Sequence, residues 1–187
     1  MIGHKEYFEY LKSRSLKSIL YKNFFVYPKI NKCIQGKCLD LGCSIGDFLN
    51  YKKDVIGVDI NKYNVDYCNS RGLEAYLMKI DKLPFDSNSF DSILLDNVLE
   101  HLNSPEKLIY EISRVIKKSG NFVIGVPGKK GFDYDLDHKV FYDEIHLEKF
   151  ISKFQFKLES YFYTPLKSEY LNLNSRHYCV WAHFKKR

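Results

Sequence analysis

The sequence has no apolar run long enough to cross a membrane, and its first residues lack the apolar core of a secretory signal peptide. Cysteine is scarce: the five residues are odd in number and form no C-x-x-C pair. They are Cys33, Cys38, Cys43, Cys68 and Cys179. Because no zinc-type spacing is present either, we predict no metal site. These absences favour a reduced, cytoplasmic protein without a disulfide framework.

Two full domains are also excluded by length. With 187 residues, 45% of them hydrophobic, the chain can bury one core. The net charge of +6 permits an anionic partner, but lysines are spread along the chain, and the only dense basic run is Lys185–Arg187. We therefore predict one domain over 1–187 and regard nucleic acid as an unlikely partner.

A strand, a tight turn and a helix start follow one another between Cys38 and Leu49. The turn contains Gly42, Ser44 and Gly46, and the next apolar strand ends at Asp59, thirteen residues after Gly46. Small residues let a backbone approach a ligand, and a carboxylate on the second strand accepts hydrogen bonds from ribose hydroxyls. The pattern predicts a nucleoside cofactor at the carboxyl edge of a parallel sheet.

A dinucleotide cofactor fits this turn poorly. The third glycine of the dinucleotide pattern G-x-G-x-x-G is replaced by Asp47. A carboxylate at a helix N-terminus would repel the pyrophosphate that the helix dipole attracts. A nicotinamide-dependent dehydrogenase is therefore the weakest alternative.

The turn resembles motif I of the class I S-adenosylmethionine-dependent methyltransferases, an acidic residue followed by x-G-x-G-x-G. Asp40, Gly42 and Gly46 match this motif, and Ser44 replaces its middle glycine. Segments 80–85 and 90–101 resemble the adenine-side segment and the fourth strand of that family, so the resemblance covers roughly residues 36–160. It implies a Rossmann-like, doubly wound α/β sheet with strand order 3-2-1-4-5-7-6 and an antiparallel last strand.

The resemblance also implies that S-adenosylmethionine is the cofactor, and it implies which residues contact it. These are Asp40 at the amino-acid end, Gly42, Ser44 and Gly46 in the turn crossed by the methionine, Asp59 at the ribose, Ile60 and Asp81 at the adenine, and Asn97 near the methionine.

A catalytic residue is harder to identify from the sequence, because a sulfonium methyl group is already activated and needs mainly alignment with its acceptor. A hydroxyl acceptor gains from a base, and His101 follows the fourth strand. The alternative is that His101 only packs a helix. His138, Tyr142 and His146 are weaker candidates, and we expect His177 and His183 to be structural or exposed.

The remaining pattern alternates strands and helices. Ser104 and Pro105 predict the start of a helix, and Gly120 predicts its end. The apolar face of this helix is predicted to consist of Leu108, Ile112, Val115 and Ile116. A loop is predicted over 127–142. The predicted strands are 37–41, 55–59, 73–79, 91–95, 121–126, 156–163 and 177–184.

Residues 1–35 are predicted to be a helical extension rich in tyrosine, phenylalanine and lysine. It either packs on the sheet edge or forms a lid that covers the cofactor and touches the acceptor. Its sequence resembles methyltransferases of bacterial surface-polysaccharide clusters, which favours a glycan or other small-molecule hydroxyl as acceptor. RNA or protein methylation, and binding of S-adenosylmethionine without turnover, remain alternatives.

Overall fold

A seven-stranded sheet organises the chain in the computed structural model, which describes residues 3–187. The strand order is β3-β2-β1-β4-β5-β7-β6, and β7 runs antiparallel to both of its neighbours. The predicted order is therefore confirmed. The strands are β1 Cys38–Leu41, β2 Val55–Asp59, β3 Ala75–Leu77, β4 Phe90–Asp96, β5 Ile116–Pro127, β6 Phe156–Thr164 and β7 Cys179–Lys186.

Helices precede the sheet and connect its strands. A π-helix, Lys22–Val26, joins the second helix to the third, and short 3₁₀ turns cover Leu99–His101 and Ser152–Phe154. The α-helices are α1 His4–Lys12, α2 Leu16–Tyr21, α3 Tyr27–Asn31, α4 Asp47–Tyr51, α5 Lys62–Ser70, α6 Glu106–Val115, α7 Lys129–Tyr134, α8 Glu144–Ile151 and α9 Glu169–Asn174.

The sheet is buried on both faces. Successive side chains of a strand point to opposite faces, and in β4 Ile93 and Leu95 belong to one apolar cluster whereas Leu94 belongs to the other. Every residue of β1 and β2 is buried, as expected for central parallel strands covered by helices. The polar groups that can meet a ligand are therefore concentrated where the strands end.

The predicted helix after Ser104 is wrong at both ends. It begins at Glu106, with Pro105 as its N-cap, and it ends at Val115 rather than before Gly120. Ile116 belongs to β5 and pairs with Phe90, and both side chains are fully buried. Apolar pairing across the sheet therefore overrides the helical spacing that included Ile116.

Two other predicted elements also differ. The segment 127–142 contains α7, so it is not a continuous loop. The third strand covers only Ala75–Leu77 instead of 73–79. It lies at the sheet edge beside β2, and Tyr76 and Leu77 are exposed, so only a short ladder forms there.

Within residues 3–187, no helix combines the length and apolar character needed to cross a membrane.

Candidate active site

The turn after β1 has a backbone that favours glycine. Gly42 and Gly46 have φ values of 79° and 80°, in the left-handed region. A Cβ on Gly42 would lie 2.6 Å from Val98 Cγ2, and one on Gly46 would lie 2.7 Å from Leu73 Cδ1. The N–H of Gly42 also donates to the Val58 carbonyl at 2.8 Å, which fixes the turn against β2.

Asp59 holds the other side of this turn. Its Oδ2 accepts from the Ser44 N–H at 2.9 Å, and its Oδ1 accepts from the Asn61 N–H at 2.7 Å. The Asn64 side chain donates to Oδ2 at 3.2 Å. Burial raises the pKa of Asp59, although these hydrogen bonds oppose the shift. The structure therefore brings together two of the residues predicted to contact the cofactor, Ser44 and Asp59.

Ser44 combines an unusual backbone conformation with an unpaired side-chain hydroxyl. It adopts φ 55°, and its Oγ is buried without a hydrogen-bond partner. A buried hydroxyl normally has a partner. A polar ligand in the turn would supply one, so the residues present fit a nucleoside cofactor.

An acidic pair lies at the ends of β1 and β4. Asp40 is only 4% exposed, and burial together with the nearby Asp96 raises its pKa well above the ordinary range. Lys22 places its Nζ 3.2 Å from Asp96 Oδ2. Burial is the largest single effect on Lys22 and lowers its pKa, but Asp96, Tyr27 and Asp47 together outweigh it and the pKa is raised. Two carboxylates and one ammonium therefore meet at this edge.

Lys22 belongs to residues 4–31, which we call the cover segment. Arg14 Nη2 lies 2.6 Å from Asp47 Oδ2, at the start of α4. The Asn61 side chain donates to the His4 carbonyl at 2.8 Å. Tyr27 and Ile30 are buried in one of the apolar clusters. The segment therefore combines core packing with polar contacts to the residues around the turn.

Removing the Arg14 guanidinium is expected to loosen the cover segment. In Arg14→Ala the partly buried Asp47 loses its partner, so we expect limited proteolysis within residues 4–31 to accelerate roughly fivefold, as for a loss of about 1 kcal/mol. Lys12→Ala is the matched control, because the Lys12–Glu9 pair is exposed, with side chains 40% and 57% accessible. Equal cleavage rates in the two variants would contradict a fastening role for Arg14.

Asn97, Ile60 and Asp81 are also predicted to contact the cofactor, and the structure places each of them in a different environment. Asn97 has φ 52° and donates from its side chain to Asp96, so it joins the acidic pair. Ile60 directly follows Asp59 and is 46% exposed. Asp81 is exposed in the turn after β3 and lies 3.7 Å from Lys107 Nζ. Among the described residues, no hydrogen bond joins Asp81 to the turn after β1.

His101 lies in the 3₁₀ turn that follows β4, and its side chain is 30% exposed. Its Nδ1 is 3.7 Å from Asp137 Oδ2, and its ring centroid is 4.7 Å from that of His138. Burial and the neighbouring His138 lower its pKa, which favours the neutral imidazole. His101 can therefore accept a proton or offer a lone pair at the strand end.

Sequence reasoning did not single out Glu100. Its carboxylate is buried beside His101, and burial raises its pKa to about 8. Of the weaker candidates, Tyr142 is buried and His146 is exposed, whereas His138 faces Glu100. Glu100 and His138 are 38 positions apart in the sequence, so no local spacing would reveal this contact.

Residues 39–124 match the family described as a methyltransferase domain. An uncharacterized protein of Methanocaldococcus jannaschii is 35% identical over 98 residues, which cover 52% of this chain and 48% of that protein. A sterol 4-C-methyltransferase of Caenorhabditis elegans is 29% identical over 121 residues, 58% of this chain and 36% of that protein. The chain thus spans about half the length, or less, of these curated relatives.

The fold comparison agrees with the sequence match. A solved S-adenosylmethionine-dependent methyltransferase of Thermotoga maritima superposes with a TM-score of 0.76 at 16% identity, covering 98% of both chains. At this identity the likeness concerns the fold. Residues 39–124, which include the turn after β1, are thus similar to a methyltransferase domain, and the chain has the fold of a solved S-adenosylmethionine-dependent methyltransferase.

Proposed function

We propose that this protein transfers the methyl group of S-adenosylmethionine to a hydroxyl oxygen of a sugar or another small molecule. The observation that carries the proposal is the turn after β1, where the Ser44 hydroxyl is buried and unpaired and the Ser44 N–H donates to the Asp59 carboxylate. When bound, S-adenosylmethionine supplies an electrophilic methyl group on a positively charged sulfur.

Different residues of the site hold different parts of S-adenosylmethionine. Asp59 accepts from the ribose hydroxyls, and Gly42 and Gly46 let the backbone approach the ligand. Asp40 and Asp96 lie at the edge where the amino-acid end is expected, and their carboxyl oxygens can accept hydrogen bonds from its ammonium group. Ile60 and Asp81 serve the adenine side, and Asn97 the methionine side.

The acceptor hydroxyl needs a group that takes up its proton, and we assign this activation to His101. It is a partly buried imidazole in the turn after β4, and burial lowers its pKa. The cover segment acts as a lid, and its exposed aromatic rings, Tyr10 at 64% and Phe24 at 70%, suit stacking on a sugar ring. A small-molecule acceptor is also supported by the sterol methyltransferase among the relatives, and a polysaccharide precursor by the sequence of residues 1–35.

The cofactor assignment has a direct calorimetric test. We expect the purified protein to bind S-adenosylmethionine and S-adenosylhomocysteine and to ignore NAD and NADP, because Asp47 at the start of α4 disfavours a pyrophosphate. Dinucleotide binding of equal strength, without binding of either adenosyl compound, would overturn the proposal.

The acceptor is identified by transfer of a tritiated methyl group to separated cell fractions. Glycans, lipids, RNA, proteins and small metabolites are tested in parallel, and label in the glycan or small-metabolite fraction is the expected result. Label confined to RNA or protein would replace the proposed acceptor class. Binding of the cofactor without label in any fraction would favour a non-catalytic binding protein.

A further inference from the structure

Three side chains with metal-binding atoms converge beside the end of β4. Glu100, His101 and His138 each offer one ligand atom, and these atoms lie within 4.8 Å of one another. We call them the Glu-His-His cluster. None of the three is among the residues assigned to the cofactor, so the cluster needs a separate explanation.

Glu100 is the least expected member. It is 1% exposed, and neither of its carboxylate oxygens has a hydrogen-bond partner. A carboxylate taken out of water without a partner is strongly unfavourable, so such groups are protonated, paired with a charge or bound to a metal ion. The structure therefore places an unsatisfied acidic group where a cation would satisfy it.

His138 is oriented as a metal-binding histidine is. Its Nδ1 lies 3.0 Å from the Phe132 carbonyl, and the Phe132 ring stacks on the imidazole at 5.3 Å. If Nδ1 donates to that carbonyl, Nε2 presents its lone pair to the cluster, 3.8 Å from Glu100 Oε1. A backbone carbonyl commonly fixes the tautomer of a metal-ligating histidine in this way.

The electrostatic surroundings also favour a cation. Asp135 Oδ2 lies 4.0 Å from His138 Nε2, and Asp137 Oδ2 lies 3.7 Å from His101 Nδ1. Lys139 offsets part of this charge through its pair with Asp137 at 3.1 Å. The two carboxylates of Asp135 and Asp137 outnumber the one ammonium group, so the surroundings of the cluster favour a cation even when Glu100 is protonated.

We propose that Glu100, His101 and His138 bind a divalent transition-metal ion. Two imidazoles and one carboxylate form a donor set suited to zinc, manganese or iron, with positions left for water or substrate. The 3.8 Å between His138 Nε2 and Glu100 Oε1 is close to the separation of about 3.4 Å between two ligands about 2.1 Å from a tetrahedral ion. A small side-chain movement would complete the site.

The ion would explain how His101 activates the acceptor, and this part rests on the proposed function. A hydroxyl oxygen bound to a divalent cation loses its proton far more readily, just as the pKa of metal-bound water falls from about 15.7 to about 7. The proton would pass to solvent or to a nearby carboxylate, and the oxygen would keep the electron pair that forms the new bond to the methyl carbon. The carbon–sulfur bond would break at the same time, and its electron pair would stay on the sulfur of the departing S-adenosylhomocysteine. His101 would then activate the acceptor as a ligand of the ion and would not itself take up the proton.

The test measures metal binding without any assay of activity. The tag-free protein is treated with a chelator, dialysed and titrated with Co²⁺, whose visible absorption reports coordination by protein ligands. We expect one Co²⁺ per chain, displaced by Zn²⁺. Glu100→Gln and His138→Ala should each weaken binding by at least roughly 100-fold, because each removes a ligand rather than an outer contact. His146→Ala is the matched control, since its side chain is 70% exposed and pairs with Asp143.

Circular dichroism and thermal melting establish that the variants are folded, and His101→Asn is a second ligand variant if either of the others unfolds. Absence of stoichiometric binding of Co²⁺, Zn²⁺ and Mn²⁺ to the folded wild-type protein would overturn the metal site, as would undiminished binding in the folded ligand variants. The same metal-free protein is titrated with S-adenosylmethionine. Cofactor binding without metal binding removes the metal site and leaves the proposed function intact, whereas the reverse result removes the proposed function alone.

Discussion

Replacing His101 by alanine is expected to lower turnover per folded molecule by roughly 10²- to 10⁴-fold, the range for one positioned acid–base group. The imidazole lies in the turn after β4, is 30% exposed and is therefore within reach of a substrate. A hydroxyl is a weak nucleophile until its proton is removed. Loss of His101 removes the activating group whether the imidazole acts alone or through a bound cation.

The measurement is turnover with the identified acceptor, together with cofactor affinity and melting temperature. Both of the latter should be nearly unchanged in His101→Ala, because the role is confined to the chemical step. His177→Ala, at an exposed position before β7, serves as the control. A folded His101 variant that keeps most of its turnover would exclude the residue from the mechanism, and a small loss would indicate a nitrogen acceptor that needs alignment more than a base.

Asp59→Ala is expected to weaken binding of S-adenosylmethionine by about 1.5 to 3 kcal/mol, which corresponds to about 10- to 150-fold in Kd. The variant removes the charged acceptor for the ribose hydroxyls. It also removes the carboxylate that accepts from the Ser44 and Asn61 N–H groups. The turn after β1 loses both a ligand contact and part of its support.

Two comparison variants separate these effects. Asn64→Ala removes a donor to Asp59 and leaves the carboxylate in place, so its Kd should change much less than that of Asp59→Ala. Asp66→Ala alters an exposed carboxylate paired with Lys62 and should bind the cofactor like the wild-type protein. If folded Asp59→Ala has an unchanged dissociation constant, Asp59 is only a group that supports the end of β2.

The parts of the site that could be predicted from sequence are those that depend on a local sequence pattern. The left-handed Gly42 and Gly46, and an acidic residue at the end of the next strand, follow from a strand–turn–helix arrangement in which spacing fixes position. Strand order followed from the family resemblance. The error at Ile116 has a local cause, since a buried residue at helical spacing can equally belong to a buried strand.

The rest of the site depends on contacts between distant parts of the chain. Lys22 pairs with Asp96, which is 74 positions away in the sequence, and Arg14 pairs with Asp47, which is 33 positions away. His138, in the segment that follows α7, lies 3.8 Å from Glu100. No periodicity or spacing reports such pairs, because they depend on how the cover segment and the segment after β5 return to the same edge of the sheet.

The position of β7 has a consequence for the folding of the chain. Strand β7 lies between β5 and β6, antiparallel to both. A partly folded chain in which β7 has not docked would present β5 as an unpaired edge, and Phe122, Val123 and Ile124 on that edge are fully buried in the native state. Exposed apolar edges pair with strands of other molecules. Insertion of β7 therefore completes the sheet and also closes an edge that is prone to aggregation.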